Sequence, residues 1–551
     1  MAPAVALFAL MGATPPRAQT NACSWARDLR LVNGRIHTMD SRNSIVREAT
    51  IQDGRFAYVG GIGKAVLSPC TQVINLGGRT VIPGLIDNHN HIVALGLRPG
   101  HDTRLENAFS IAAVQTALRD RAKGLPAGAL ISSLGGWNPR QFAEKRAPTM
   151  AELDAAAPNH LVLIYPSGGG PGGPAAGYTN SRARAFFAGR NVPVGPDGII
   201  ANGPPFTSAM TVLRGMQTFD DEKRGTLDAL RYTAGLGLTT QVDQGFFILR
   251  GSPDIKSSAT SEHGLVTFSP WTAYNAALAL HRENRLLNRL RIFWYTRDTE
   301  LTVPLLRERL LNNFLWSGDD MLRASGVGET VVAGNLAQSP PPPNFIEALK
   351  ITAERGWPFS QHTLTLAEDQ AVADAFEEIN RTIPIADLRW SISHGPRIDR
   401  QTVERLKAIG AGIEAHAWSY LNGAPGAGPP FRMIVDSGIR VGGGSDAANV
   451  TAINPWLMIY YMVTGRNSAG ELVNDGQQIT RDEALRLYTV NQGWFFKEED
   501  KLGSIEPGKL GDLVVLSADY FDSSRVSDEN IRGLRSVLTV VDGKVVHDTM
   551  R

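Results

Sequence analysis

Between residues 81 and 447 the chain alternates short apolar runs with amphipathic stretches, and this alternation narrows the fold more than any other feature. The runs are VIPGLIDNHNH (81–91), LTTQVDQG (238–245), LRIFWYT (290–296), GVGETVVAG (326–334), PFSQHT (358–363), LRWSISHG (388–395), AGIEAHAW (411–418) and IRVGGGSDA (439–447). Segments such as FIEALKITAERG and RQTVERLKAIG, with apolar residues at helical spacing, stand between several of them. Strand-like runs separated by helical ones predict parallel strands with crossover helices. Eight of them is the number that closes a (β/α)8 TIM-like barrel, so the fold class expected is α/β. Between the first and second runs lie about 140 residues, roughly 93–237, far more than a βα loop needs, so this insertion must carry substructure of its own. Within it, PSGGGPGGPAAG (166–177) reads as a loop, because glycine at that density weakens both helix and strand.

The two ends read differently. Residues 23–80 and 498–551 hold short alternating strands punctuated by Asn33-Gly34, Asp53-Gly54 and Asp542-Gly543, pairs that favour hairpin turns. They predict one small β-sandwich assembled from both termini, flanking a barrel over 81–497. Residues 1–22 include an apolar stretch, Val5 to Ala13, too short to span a bilayer and followed by small residues. This predicts a signal peptide and a periplasmic or secreted protein; a disordered leader on a cytoplasmic protein is the other reading. The only cysteines are Cys23 and Cys70, which can pair in an oxidising compartment or remain as two buried thiols. Lys plus Arg (55) nearly balances Asp plus Glu (54), so net charge draws the chain neither to nucleic acid nor to a membrane surface. A small-molecule substrate fits this balance, and a homo-oligomer stays open.

In a parallel barrel the C-terminal ends of the strands converge on one mouth, where chemistry is done. Of the polar residues at those ends, His89, His91, Glu329, His362, His394 and Asp446 form one set, and imidazole with carboxylate is what a divalent ion such as Zn²⁺ binds. His89 and His91 sit two apart, so in a strand both reach the same face while Asn90 points away.

The segments PGLIDNHNH, ISHGPRID, GGGSDA and EPGKLGDLVVL resemble the amidohydrolase superfamily of metal-dependent hydrolases. The order GDDMLRASGVGE, QHTLTLAEDQAV, SISHG, GSDAANVTAINPW resembles the amidohydrolase family 3 branch, which includes N-substituted formamide deformylases, and the likeness covers nearly the whole chain after the leader. The resemblance implies the same barrel and split sandwich, with one or two divalent ions per chain, Zn²⁺ foremost. It implies His89 and His91 as ligands of one metal and His362 and His394 as ligands of a second. Asp446 is implied as both ligand and catalytic proton acceptor. Glu329 stands where many relatives carry a carboxylated lysine that bridges two metals; a carboxylate can bridge as well, though a single-metal enzyme stays open. The activity implied is hydrolysis of an amide-type C–N bond, in an N-acyl or N-formyl amine. A metal-dependent esterase, lactonase or carbamate hydrolase is the nearest alternative, and a non-catalytic exported binding protein a more distant one.

For substrate contact the sequence offers Trp137, in a Gly-Gly-Trp that resembles the family's substrate loop, Tyr178 before Asn180-Ser181, His416 and Trp418. Phe246 and Tyr420 add to an aromatic lining, and core packing explains each of these aromatics equally well. His416 reads as a support for the metal ligands, a substrate contact or a packing residue. Asp87 reads as a structural or supporting carboxylate, and Asp243 as a turn residue or part of the mouth. His37, His263, His281 and His547 lack strand-end context and read as surface or packing residues.

Overall fold

Eight parallel strands frame the molecule: β1 (Leu85–Asn90), β2 (Leu238–Asp243), β3 (Arg289–Trp294), β4 (Leu322–Val327), β5 (Ser360–Thr363), β6 (Ser391–His394), β7 (Gly412–His416) and β8 (Arg440–Gly444). The computed structural model describes residues 23, 27–61, 67–168, 175–245, 269, 271–426, 428–447 and 450–550. The leader, the glycine-rich centre of the 166–177 segment, Phe246 and His263 lie outside the described residues.

The strands pair as two four-stranded parallel sheets, in the orders β4-β3-β2-β1 and β5-β6-β7-β8. At one seam Val327 bridges Phe359 in parallel, and the N–H of His362 donates to the carbonyl of Glu329 at 2.9 Å. At the other, the N–H of Asp446 donates to the carbonyl of His89 at 2.7 Å. Seven of the eight runs match the expected strands closely. The fourth differs: the strand is Leu322–Val327, not 326–334, and Glu329 stands just past its end. Arg323, a charged residue inside that strand, hid it; its guanidinium is paired with Glu498 and Asp320.

Helices cover the outer faces for local reasons that can be read residue by residue. The helix Phe219–Leu236 starts where the Thr218 hydroxyl accepts from Asp221 N–H while the Asp221 carboxylate caps Thr218. It stops at Gly237, whose left-handed φ of 94° ends the helix one residue before β2 begins. Its buried face, including Leu227, Leu230 and Leu236, joins the main hydrophobic core. Trp494, Phe495 and Phe496 form a separate apolar cluster with Ile86, Val242 and Phe293.

The two chain ends form two further sheets, one of four strands within residues 29–75 and one of six that joins both termini through the antiparallel pairing of Thr80–Pro83 with Leu513–Leu516. Leu31, Ile51 and Phe56 from the first share one core with Val81, Val515 and Val540 from the second. The turns at Asp53-Gly54 and Asp542-Gly543 are hairpins, as the sequence predicts. Asn33-Gly34 is not: the strands on either side, Leu29–Val32 and Arg35–His37, belong to different sheets, and the chain crosses between them there. Cys23 and Cys70 are joined by a disulfide.

The insertion carries its own five-stranded sheet, built from His101–Asp102, Leu130–Leu134, Leu161–Tyr165, Ala176–Thr179 and Ile199–Ala201, with an apolar core on either side. Among the described residues, no helix is long and apolar enough to cross a membrane.

Candidate metal centre

All six expected ligands meet where the parallel strands end. His89, in β1, and His91, just past it, reach the same carboxylates: His89 Nε2 lies 3.3 Å from Glu329 Oε2 and 3.7 Å from Asp446 Oδ1, and His91 Nε2 lies 3.6 Å from Glu329 Oε1 and 2.9 Å from Asp446 Oδ1. Asn90 turns the other way and donates to Gln241 on β2 at 2.7 Å. His362 Nδ1 and His394 Nε2 approach the same Glu329 Oε2 at 2.8 and 3.2 Å. Two groups of ligand atoms, His89-His91-Glu329-Asp446 and Glu329-His362-His394, thus share one carboxylate. The backbone is bent to achieve this: His394 and Asp446 have φ of 76° and 55°, a left-handed conformation that non-glycine residues adopt at a cost.

The residues fit a divalent ion. His89 Nε2 is fully buried and faces both carboxylates without hydrogen-bonding either, which a neutral, ion-free protein would tolerate poorly. The carboxylates and imidazoles here are strongly coupled in charge: against the effect of burial, Glu329 raises His89 to about 10 and raises His362. Burial opposes ionisation of Glu329, yet His362 and His89 hold its carboxyl well below the usual range. Asp446 is likewise held down against its burial by His394 and by its contact with His91. His394 is pushed down to about 4 by burial and by the charge of His362.

The surrounding residues hold this set in place. Asp87, one layer deeper, accepts from the N–H and hydroxyl of Ser445 and from His89 N–H, which ties the end of β8 to β1; burial raises it to about 6. Asp243 is part of the mouth: it accepts from Val93 N–H and Tyr274 and feels the charge of His91. His416 lies inside the cluster, its Nδ1 2.5 Å from His394 Nδ1 and its ring tilted against that of His89 and edge-on to that of His394. Gly444 makes room for it, since a Cβ there would come within 2.7 Å of His416 Nε2. Trp418 stands over the cluster, its indole N–H donating to Asp446 Oδ2 and its ring 4.8 Å from that of His394.

Two of the expected substrate contacts, Trp137 and Tyr178, take part in a core of the inserted sheet. Trp137 is fully buried against Phe142 in a core of the insertion, and Tyr178 packs on that same core. Their apolarity serves the inserted sheet. Tyr420 is buried as well, packed edge-on to Tyr460. His37 stacks on Phe521, and His281 pairs with Asp319 at the surface, as packing and surface residues do.

Sequence reasoning missed Glu414 and Ser393, which face the second ring nitrogen of His89, and Ser360 and Ser391, whose hydroxyls reach the Glu414 carboxylate. The signal was present: Glu414 shares its strand parity with His416, and a charge inside an otherwise apolar strand needs a partner.

With this geometry in view, the family described as amidohydrolase matches residues 72–547. The N-substituted formamide deformylase of Arthrobacter pascens is 24% identical over 94% of this chain and 98% of its own length. Among solved structures, an uncharacterised metal-dependent hydrolase from Pyrococcus furiosus is similar in fold, with a TM-score of 0.57 at 20% identity over 90% of this chain and 100% of the other. A mutant atrazine chlorohydrolase from Arthrobacter aurescens, complexed with zinc and atraton, gives a TM-score of 0.50 at 16% identity over 95% and 97%.

Proposed function

The chain belongs to the amidohydrolase family, as a metal-dependent hydrolase acting on carbon–nitrogen bonds other than peptide bonds, and from that premise we propose that it cleaves an N-acyl or N-formyl amine of small size. The observation that carries the reading is the sharing of Glu329 by two groups of ligand atoms. It supports a two-ion centre, with His89, His91 and Asp446 on one side, His362 and His394 on the other, and Glu329 between them. Zinc suits this set of nitrogen and oxygen donors, and it is the ion in the atrazine chlorohydrolase structure. When bound, the ion supplies Lewis acidity, polarising the substrate carbonyl and lowering the pKa of water toward about 7.

The remaining work belongs to the chain. Asp446, with Oδ1 turned to His91 and Oδ2 fixed by the Trp418 indole, is placed to take the proton of the attacking water and return it to the leaving amine. A groove of about 750 Å³, bounded by Leu366 after β5, Pro396 and Arg397 after β6, and Pro425 and Pro430 after β7, is our candidate for the substrate's path. It suits a small molecule. The bonded seams between the two parallel sheets support a closed (β/α)8 barrel, and the shared core of the terminal sheets supports the composite sandwich. The disulfide supports export to an oxidising compartment.

The test is metal analysis of the purified protein together with a screen of N-acyl and N-formyl amines, carbamates, esters and lactones. We expect zinc and turnover of amides. Turnover of esters or lactones with no amide cleaved would transfer the assignment to the esterase reading, and a protein that binds no metal would overturn it altogether.

A further inference from the structure

We propose that Glu414 is a positioning residue for the metal centre: it fixes the ring and the tautomer of His89 so that Nε2 is the nitrogen offered to the ion. The inference rests on the metal reading above and concerns a residue that is itself too deep to be a ligand. Glu414 lies in β7, two residues before His416, and is buried. Its Oε1 accepts from the Ser391 hydroxyl at 2.7 Å. Its Oε2 lies 3.0 and 3.1 Å from the Ser393 and Ser360 hydroxyls and 3.2 Å from His89 Nδ1. Strands β5, β6 and β7 thus build a cage around one carboxylate, and the only group from β1 that enters it is the His89 ring.

Proton counting gives the tautomer. Each serine has one hydroxyl proton; Ser360 and Ser393 touch each other and Ser393 Oγ also lies 3.2 Å from His89 Nδ1, so Oε2 is not fully supplied with protons by the serines. A bare Nδ1 lone pair facing a carboxylate oxygen at hydrogen-bond distance would be repelled. A proton on Nδ1 removes the repulsion and gives the carboxylate a further donor. His89 is then protonated on the nitrogen that faces the cage, and Nε2, buried with no hydrogen-bond partner among the described residues, keeps its lone pair toward Glu329 and Asp446. Partners of this kind, behind a ligating imidazole, typically account for about 10–100-fold in metal affinity.

The experiment is zinc affinity of the apoprotein, measured by competition with a chromogenic chelator, alongside its thermal unfolding and the visible absorption of the cobalt-loaded form. Glu414→Gln keeps the size of the side chain but allows an amide N–H to face Nδ1. We expect zinc affinity to fall by about 10–100-fold and the cobalt band to shift, with Glu414→Asp recovering part of the loss. The double variant Ser391→Ala/Ser393→Ala, which loosens the carboxylate without removing it, should show a smaller fall in the same direction and stands in if Glu414→Gln does not fold. Wild-type zinc affinity and an unchanged cobalt spectrum in a folded Glu414→Gln, or in the serine variant if that substitution does not fold, would overturn this inference alone. A wild-type protein that takes up no zinc would overturn the metal reading, and this inference with it.

Discussion

The parallel strands bury charge at both of their ends, and they do so in opposite ways. Toward their N-terminal ends, Arg289 Nε and Nη2 bond Asp512 at 2.7 and 2.9 Å, and Arg291 Nε bonds Glu498 at 2.8 Å, with Arg323 on the other oxygen of Glu498. Donor faces acceptor, and each carboxylate has a cation. At the C-terminal ends, His89, His91, His362 and His394 all turn a ring nitrogen toward the two carboxylates of Glu329 and Asp446, and His89 Nε2 makes no hydrogen bond. The first arrangement is closed by its own charges. The second is completed by a cation from outside. Burial of charge alone therefore does not mark a functional site; convergence of several imidazoles on shared carboxylates does.

This contrast can be broken by moving the two effects independently. Asp446→Asn should lower turnover of an amide substrate by about 10²–10⁴-fold while leaving thermal unfolding near wild type; full activity would remove Asp446 from the mechanism. Asp512→Ala, which strands the buried Arg289, should cost about 3–5 kcal/mol in urea unfolding, yet leave zinc content and kcat of the folded fraction unchanged. A specific loss of kcat there would mean that the two ends are not separable. Chelation should destabilise the protein through the mouth alone: re-adding zinc to a hundredfold excess over its Kd should restore about 2.7 kcal/mol, and His91→Ala should abolish that restoration. The smallest effect expected is at Trp418→Phe, where loss of the indole hydrogen bond to Asp446 should cost about 1.5 kcal/mol, or roughly tenfold in kcat, with metal content intact.

Much of the mouth was legible because period and chemistry coincide there. His89 and His91 follow a strand spacing, and His362, His394 and Asp446 each close an apolar run, so pattern and ligand type pointed to one place. Glu414 was not legible, since nothing local says which strand's imidazole a buried carboxylate will meet. Trp137 shows a related ambiguity: an aromatic after two glycines looks the same in a substrate loop and in the core of an inserted sheet, and its packing against Phe142 is visible only in the fold. Asn33-Gly34 carries the same lesson for turns, because the dipeptide specifies a reversal but not whether the next strand pairs with the last. The fourth strand was misplaced because a paired arginine looks polar in sequence and is buried in the fold.

His91 and Asp446 touch across 355 positions of sequence. The mouth therefore does not exist in any partial chain: until the last parallel strand has been made and has found the first, the donors are scattered and closing so long a loop carries an entropic cost. Capture of an ion reports that the topology is finished. It also means that the ion is drawn from whichever compartment folding ends in, so the metal this protein carries is chosen by where the chain completes itself as much as by the donors it presents.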